Sequence, residues 1–492
     1  MPAVSLRLDP TVTAPGRRAG HLADEFDAIR SELGIEDGFP EDVLAETDAG
    51  IKAGPSIPAT VDLREVPFLS IDPPGSMDLD QALALSRRSG PGGGFVVRYA
   101  IADVASFVRP GGAIDIEARR RVVTVYLPDR RAPLHPPALS EGAASLLPGQ
   151  ERQALVWTIE LDAAGAPTSV RLERATVRSR ARFTYEQVQR QLDAGSAEEP
   201  ITLLQEIGLL REAAEVARGG VSLPLPDQQV VEIDGRYRLQ FRAPLRTEGW
   251  NAQLSLLAGL AAARLMLDHG VGLLRTLPPP NDATVAALRH AARALGVPWP
   301  GDGAAPYPEF IRSLDPTVPA HAALVSRAAR LFRGAGYLAF GDRAPVPDGD
   351  AAVHAAVAAP YAHVTAPLRR LVDRFGNEVV LAQCSGTAVP AWAMEALPEL
   401  PALMDRGRHR ENAANGMSLD LVEAAVLGGC VGAEVDGVVM STGKGNASVQ
   451  VREPAVVASI DGDDLTAGDE VRLRVAGADV AKRKVLFEVI AT

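Results

Sequence analysis

Three aspartates around a tight turn, in the segment from Ser70 to Ala82 (SIDPPGSMDLDQA), constrain this chain more than any other feature. An apolar stretch leads into Asp72, a Pro-Pro-Gly turn follows, and Asp78 and Asp80 come soon after it. Two carboxylates ~4 Å apart at an effective dielectric of ~20 repel each other by about 4 kcal/mol. Such a cluster favours either a raised pKa or a bound cation, and a hard cation such as Mg²⁺ prefers carboxylate oxygens.

Aspartate is also common where loops begin and end, so three ordinary turn or cap residues are the alternative. The surroundings favour the metal. Apolar segments flank the motif and a strand-like run follows at 95–104, which places the carboxylates at the rim of a buried sheet. The spacing lacks the sixth-position Gly and the twelfth-position Glu of a calcium loop. We therefore predict an Mg²⁺ site, with Mn²⁺ as a substitute, formed by Asp72, Asp78 and Asp80.

This stretch resembles the catalytic motif of the ribonuclease II/R exoribonucleases, the RNB-domain family. That motif has Ser or Thr, Ile and Asp, then five residues, then Asp, an apolar residue, Asp and Asp. Asp72, Asp78 and Asp80 match it, whereas the fourth acidic position is Gln81. The resemblance implies that these four side chains face the metal and that Asp80 is catalytic. A Gln carbonyl can ligate a cation, but the site then carries one negative charge less than the family pattern.

The length of 492 residues and the hydrophobic content of 47% allow roughly two to four domains with real cores. The formal net charge of −12 counts against a nucleic-acid partner, because binding phosphates requires concentrated positive charge. Arginines are nevertheless frequent between positions 119 and 190, and Arg suits bidentate phosphate contact. Composition alone therefore neither establishes nor excludes an RNA partner.

The two cysteines, Cys384 and Cys430, are far apart and have no CxxC spacing, which argues against a disulfide framework and structural zinc. No secretory leader is visible, so we expect a cytoplasmic protein. The most apolar long segment, 254–266, is interrupted by Arg264 and is too short to span a bilayer. We predict a buried helix there and no membrane partner.

We predict an α+β protein of three units: a small helical N-terminal module at 1–58, an RNB-like catalytic domain at 59–427 and an S1-like OB-fold barrel at 428–492. The N-terminal module has helical spacing at 19–33 and a second short helix after Pro40. Members of the family that it resembles usually begin with cold-shock barrels, so we expect the N-terminal RNA-binding unit to be either replaced or lost here. Five strand-like runs indicate the C-terminal barrel: 434–439, 447–451, 455–460, 470–475 and 484–490.

The central unit is predicted to mix strands and helices. Its strands are expected at 95–103, 122–126, 154–161 and 168–177. Its helices are expected at 185–193, 198–218, 250–269, 283–295, 320–334 and 367–384.

A second motif lies at 361–373 (YAHVTAPLRRLVD). Thr365 can cap a helix that begins at Pro367, which would put Arg369 and Arg370 near the positive end of the helix dipole. That conflict suggests that an anion such as phosphate holds them. The segment resembles the family signature whose first arginine contacts the scissile region, which implies a catalytic and RNA-binding role for Arg369 and an RNA-binding role for Arg370.

The second motif leaves one alternative open, for Arg370, and we set one aside, for His363. An ion pair between Arg370 and Asp373 on the next turn is the alternative to RNA binding by Arg370. His363 is expected to be structural rather than a general base: none of the chain's eight histidines is paired at metal-ligand spacing, and the resemblance implies a structural role for His363.

Two tyrosines are further RNA-binding candidates by the same resemblance. Tyr126, in the sequence VYLP, corresponds to a residue that stacks on a base, a contact worth ~1 to 3 kcal/mol; a core tyrosine is the alternative. Tyr185 corresponds to a residue that lies against the terminal sugar. Where the family has an adjacent Glu pair, this chain has WNAQ at 250–253. The family's second clamp aromatic has no match, and Leu225 lies nearest to its place.

Together these features predict a monomeric, metal-dependent 3′ to 5′ exoribonuclease that hydrolyses single-stranded RNA to nucleoside 5′-monophosphates. With one OB barrel and a short helical N-terminus, the RNA channel has few wrapping surfaces, so we expect poor action on structured RNA. The alternative is a catalytically impaired RNA-binding protein with the same fold, motivated by Gln81 and the missing Glu pair. A DNA-directed or general nuclease is a third reading.

Overall fold

The secondary structure comes from a computed structural model that describes residues 19–90, 92–223, 227–233, 236–315, 318–443, 445–451, 455–461 and 465–491. The helices are α1 (Ala19–Leu33), α2 (Glu41–Ala53), α3 (Ala113–Arg121), α4 (Tyr185–Asp193), α5 (Glu199–Ala217), α6 (Arg246–His269), α7 (Asp282–Ala294), α8 (Tyr307–Arg312), α9 (Pro319–Ala328), α10 (Gly349–Ala352), α11 (Leu371–Ser385), α12 (Ala391–Ala396) and α13 (Leu400–Leu427). The strands are β1 (Val61–Leu63), β2 (Leu69–Ile71), β3 (Gln81–Arg87), β4 (Phe95–Ala102), β5 (Val125–Tyr126), β6 (Arg131–Ala132), β7 (Glu151–Leu161), β8 (Pro167–Arg178), β9 (Ala181–Phe183), β10 (Asp227–Ile233), β11 (Arg236–Arg242), β12 (Gly272–Thr276), β13 (Gly336–Phe340), β14 (Glu434–Thr442), β15 (Asn446–Val451), β16 (Val456–Asp461), β17 (Glu470–Asp479) and β18 (Lys484–Ala491).

A seven-stranded sheet in the order β1-β8-β7-β4-β3-β2-β9 organises the central unit. The outer pairs β1/β8 and β2/β9 are parallel, and the inner pairs are antiparallel. Side chains alternate in size along the inner strands: Tyr99 and Trp157 belong to the larger core, whereas Ala100 and Val156 belong to a second core on the opposite face. Because the pleat sends successive residues to opposite faces, the sheet is buried on both sides.

The larger core lies under α5, α6 and α11. Helix α6 contains the apolar segment 254–266, which is buried as predicted, apart from Arg264 and a few half-exposed positions. Gly259 lets the second motif pack against this helix, since a Cβ there would lie 2.1 Å from the Tyr361 ring. Within the described residues, no helix is both long and apolar enough to cross a membrane.

The C-terminal strands form an antiparallel sheet in the order β16-β15-β14-β17-β18, and its edge strands β16 and β18 approach each other to give a nearly closed barrel. Helix α9 packs on β14 through Ala323, Val438 and Met440. The α+β fold with a C-terminal OB-type barrel is therefore confirmed. The division at 58/59 and 427/428 stays a prediction.

Several elements differ from the expected ones. The strand expected at 122–126 consists only of Val125–Tyr126, because Val122 ends α3 with a φ of +72° and its amide bonds to Ala118. The helix expected at 320–334 changes at 329 into a 3₁₀ turn. The long helix α13 was not predicted.

Candidate active site

The first acidic motif is a loop that joins β2 to β3 and is fixed by backbone bonds. The Asp72 amide donates to Phe183 O (3.1 Å), and the Leu79 amide donates to Ser145 Oγ (2.9 Å). Leu79 is fully buried, and the Asp80 carbonyl accepts from the Ala102 amide (2.9 Å). The aspartates therefore stand on a rigid loop at the edge of the sheet, as the sequence predicted.

Asp80 is buried beside the second motif. Its Oδ1 accepts a hydrogen bond from the Leu368 amide at 2.7 Å, and its Oδ2 lies 3.6 Å from Arg369 Nε. Burial raises the pKa of Asp80 well above its usual value, and the charges of Asp78 and Asp373 act in the same direction. The ionised form is thus poorly stabilised by the protein alone, and a nearby cation would correct this.

Asp78 is held by two partners from the β5–β6 hairpin. Arg131 Nη1 donates to its Oδ1 (2.6 Å), and the Tyr126 hydroxyl donates to its Oδ2 (3.3 Å). Arg131 also pairs with Glu141 at 2.6 Å. Burial, followed by the charge of Asp78, raises the pKa of Tyr126, so its phenol stays protonated and remains a donor.

The Asp72 amide bonds to Phe183 O, two residues before Tyr185. Burial, followed by the charge of Asp72, raises the pKa of Tyr185 to about 12. Tyr185 is the first residue of α4, which begins with a capping box formed by Thr184 and Gln187. Its hydroxyl accepts a hydrogen bond from Asn251 Nδ2 at 3.2 Å. The bond from Asp72 to Phe183 thus brings the acidic loop next to the strand that leads into Tyr185.

Gln81 links the two motifs. Its Nε2 donates to the Thr365 carbonyl (2.7 Å), and its Oε1 accepts from the Tyr99 hydroxyl and from Ser255 Oγ (3.4 Å). An aspartate could not donate to that carbonyl, so the Gln gains a role that the sequence did not suggest. Since two hydroxyl groups already occupy the Oε1 lone pairs, the geometry gives no support to the predicted metal contact by Gln81.

The prediction that a helix begins at Pro367 is wrong. Residues 366–370 form a turn, and α11 begins at Leu371 with Arg370 as its N-cap residue. Asp373 Oδ1 accepts a hydrogen bond from the Ala366 amide (2.7 Å), and the Leu371 amide donates to Val122 O (2.9 Å). These two bonds fix the turn that precedes the helix. The argument from the helix dipole therefore no longer applies to Arg369, which precedes the helix.

The two arginines have different environments. Arg370 forms two bonds to Asp373, of 2.7 and 2.9 Å, and Asp373 is fully buried, so the ion pair considered as the alternative is present. The side chain of Arg369 is 45% exposed. Arg369 is thus the more exposed arginine of the two. His363 is neutral and structural: burial lowers its pKa far below the usual value, and Tyr337 Oη lies 2.7 Å from its Nδ1.

A cavity of about 450 Å³ opens beside Arg369. Its lining also includes Gln81, Tyr185, Glu215, Ser222, Glu248, Asn251, Gln253, Ser255, Tyr361, Thr365 and Arg370. Most of the polar groups are therefore hydroxyls, amides or carboxylates, while the positive charge lies at the side of the second motif.

Glu215 is a cavity residue that the sequence analysis missed. Ser222 Oγ donates to its Oε1 (2.9 Å), and Gln253 Nε2 donates to its Oε2 (2.5 Å). Because the carboxylate accepts from Nε2, Gln253 Oε1 is the free end of the amide; it is buried and has no partner among the described residues. The sequence pattern that could have identified Glu215 is its helical spacing from Gly208 and Arg211, which places all three residues on the buried face of α5.

The RNB domain pattern matches residues 60–382, which is more than half of the chain. The chain belongs to the RNB-domain family. The C-terminal S1 domain of RNase II-type exonucleases matches residues 433–490.

Curated proteins are similar to this chain over part of their length. Ribonuclease R of Escherichia coli is 26% identical over 503 aligned residues, which cover 92% of this chain and 59% of that protein. Other curated relatives are matched over as little as 33% of their length, so the chain spans less than two thirds of these proteins.

Solved structures show the same fold at low sequence identity. The RNase R of Mycoplasma genitalium, in complex with ribose-methylated single-stranded RNA, has a TM-score of 0.83 at 20% identity, with coverage of 95% of this chain and 78% of that one. Yeast Ssd1, described as a pseudonuclease, has a TM-score of 0.70 at 17% identity, with coverage of 96% and 58%. The solved structures that share this fold therefore include an RNase R and a protein described as a pseudonuclease.

The acidic residues suit a divalent cation in donor type. Across the described ranges, no group of three or more Asp, Glu, His or Cys side chains is arranged to hold a metal. Mg²⁺, however, is often bound by only one or two carboxylates, with waters and substrate phosphates completing its shell. The Asp72 and Asp80 carboxylates offer oxygens of that kind. Asp78 offers the same donor type, and its two oxygens accept hydrogen bonds from Arg131 and Tyr126.

Proposed function

We propose that this chain is a divalent-metal-dependent 3′ to 5′ exoribonuclease that hydrolyses single-stranded RNA to nucleoside 5′-monophosphates. The observation that carries the proposal is the buried Asp80 carboxylate 3.6 Å from Arg369, which lines the cavity. Membership of the RNB-domain family supports it.

In this proposal the 3′-terminal nucleotide enters the cavity and its phosphate meets Arg369. The guanidinium stabilises the negative charge that grows on the phosphate oxygens as water attacks phosphorus and the bond to the 3′ oxygen of the preceding nucleotide breaks. That oxygen takes a proton and leaves as the new 3′-hydroxyl, and the phosphate departs with the released nucleotide. Mg²⁺ held by Asp72 and Asp80 would supply Lewis-acid chemistry at the phosphate.

Two side chains of the protein position the RNA end in this proposal. The half-buried ring of Tyr126 is held by its hydroxyl bond to Asp78, which suits it to stack on a base. Tyr185 lines the cavity and is placed to lie against the terminal sugar. The guanidinium of Arg370 is committed to Asp373, so we no longer assign it a direct RNA contact.

The cavity is rich in acceptors, and these suit the hydroxyl donors of a terminal ribose. Gln253 Oε1 has no donor within the part of the chain that the structure describes, and replacing Gln253 with Met removes this acceptor. We expect an about 5- to 10-fold slower release of a terminal ribonucleotide, which corresponds to one lost hydrogen bond of about 1 kcal/mol. Release of a terminal 2′-deoxynucleotide should change less. Single-turnover rates on two oligonucleotides that differ only in that sugar measure this.

Gln383→Met is the matched control, because Gln383 also has a buried Oε1 without a partner in the described chain but does not line the cavity. It should leave both rates unchanged. Equal slowing of both substrates by Gln253→Met would show that Gln253 does not read the 2′-hydroxyl.

We also propose poor action on structured RNA, because a cavity of about 450 Å³ beside Arg369 can take an unpaired RNA end but not a duplex. A 5′-labelled stem with a single-stranded 3′ overhang should be shortened until the enzyme reaches the duplex and then stall. Digestion through a stable stem at the rate seen on the unpaired strand would contradict this proposal.

The function is tested by incubating pure protein and Mg²⁺ with a 5′-labelled single-stranded oligoribonucleotide. Stepwise shortening to a small end product supports the exoribonuclease. Retarded but intact RNA supports the second candidate, an inactive RNA-binding protein, which the pairing of Asp78 with Arg131 and the likeness of fold to Ssd1 favour. Equal cleavage of matched DNA would indicate a general nuclease.

A further inference from the structure

We propose that Arg30 in the N-terminal helix α1 is a positioning residue for the nuclease site. It holds the β5–β6 hairpin, which carries Tyr126 and Arg131. This inference rests on the proposed function for its kinetic consequences and on contacts within the chain for its structural ones.

The hairpin is a small element whose position is set by the parts of the fold around it: Val125, Leu127 and Ala132 are buried in the larger core. Tyr126 pairs with Arg131 across it, and the Leu127 amide bonds to Arg130 O at its tip (3.3 Å). Its two-stranded sheet is separate from the seven-stranded sheet, and a two-stranded hairpin is only marginally stable alone. At its site end, Tyr126 and Arg131 both donate to Asp78.

Arg30 clamps the opposite end. Its Nη2 lies 2.5 Å from both carboxylate oxygens of Asp129, at the hairpin tip. The same guanidinium contacts Asp27 (2.8 Å) and Asp37 (3.2 Å), and only 4% of the side chain is exposed. A charge pair this well buried is weakly screened, so it can restrain the tip firmly.

The helix that carries Arg30 is itself fixed. Phe26 and Ile29 are buried in the larger core, and α1 packs against α13. Arg483, in the turn between β17 and β18, reaches Glu32 of the same helix at 3.1 Å. A continuous set of contacts therefore runs from α1 through Asp129 and the hairpin to the first acidic motif, which gives the N-terminal module a role at the nuclease site.

The experiment compares Arg30→Gln with Glu36→Gln. Glu36 belongs to the same module and also forms an ion pair with an arginine, but that pair is exposed and joins Glu36 to Arg120 on α3 (2.7 Å), not to the hairpin. We expect Arg30→Gln to slow nucleotide release at least about 10-fold, because loss of alignment at a reacting centre is costly. Amide hydrogen exchange should accelerate at 125–132 and stay unchanged in the seven-stranded sheet. Glu36→Gln should leave both readouts at wild-type values.

Asp129→Asn is the second variant, in case Arg30→Gln fails to fold, because it keeps the contacts of Arg30 with Asp27 and Asp37. It should reproduce the local exchange and the slower release. Wild-type exchange at the hairpin, or faster exchange spread evenly over the protein, would overturn the proposal. If the wild-type protein binds RNA without cutting it, the proposed function fails but the positioning proposal does not. Faster exchange at the hairpin and weaker retardation of RNA in the Arg30 and Asp129 variants still test the positioning in that case.

Discussion

Asp80→Asn is expected to lower the rate of RNA hydrolysis about 10³-fold while RNA binding is retained. The Asn keeps an oxygen for the Leu368 amide, so the local backbone contact survives. It removes the negative charge that faces Arg369 and that would hold the cation. Single-turnover cleavage of a 5′-labelled oligoribonucleotide, together with its retardation in a gel, separates the two effects.

The stability of this variant gives a check on the same residue. Because the pKa of Asp80 is raised in the folded state, the ionised carboxylate lowers the free energy of unfolding. This destabilisation begins as the pH rises above the unfolded-state pKa and is complete once the pH exceeds the folded-state pKa. Without metal, Asp80→Asn should therefore unfold at no lower urea concentration than the wild type near neutral pH. Asp62→Asn, which alters an exposed carboxylate paired with Arg64, is the control and should cleave normally. Normal cleavage by Asp80→Asn would show that Asp80 is not a catalytic residue.

Substitutions of the two adjacent arginines are expected to have different effects: one on the cleavage rate and the other on the stability of the fold. Arg369→Gln should reduce cleavage about 10²- to 10³-fold with little change in stability, because its side chain is 45% exposed and its loss removes charge stabilisation at the phosphate. Arg370→Gln should lower the free energy of unfolding by about 3 to 5 kcal/mol, because it leaves Asp373 buried without its ionic partner. Urea unfolding and single-turnover cleavage on both variants measure the contrast.

Each variant serves as the control for the other, since the two residues are neighbours in one turn. A fully stable but inactive Arg370→Gln protein would contradict the assignment of Arg370 to structure. An active Arg369→Gln protein would contradict the assignment of Arg369 to the phosphate.

Elements whose signals are local could be predicted from the sequence. Helix α1 spans 19–33 and α4 spans 185–193, as expected, because Gly34 adopts a positive φ after the first and Thr184 caps the second. The α+β class and the C-terminal strands also followed from local patterns of apolar residues and turns. The acidic loop was found because its turn chemistry and its charges lie within a few residues of one another.

The parts that were missed depend on distant partners. Gln81 bonds to the carbonyl of Thr365, 284 residues away, and nothing in its own surroundings predicts that contact. The start of α11 is set by Asp373 and by the carbonyl of Val122. Glu215 enters the cavity from a helix in which no motif was visible, and Arg30 reaches the site through a hairpin 99 residues further along the chain.

The most direct test of the central claim is a crystal structure of the protein with Mn²⁺ and a short single-stranded RNA. We predict anomalous density for the ion against Asp72 and Asp80, with the terminal phosphate beside Arg369. RNA bound in the cavity while those two carboxylates hold no ion would contradict the claim that a cation and Arg369 together act on the terminal linkage.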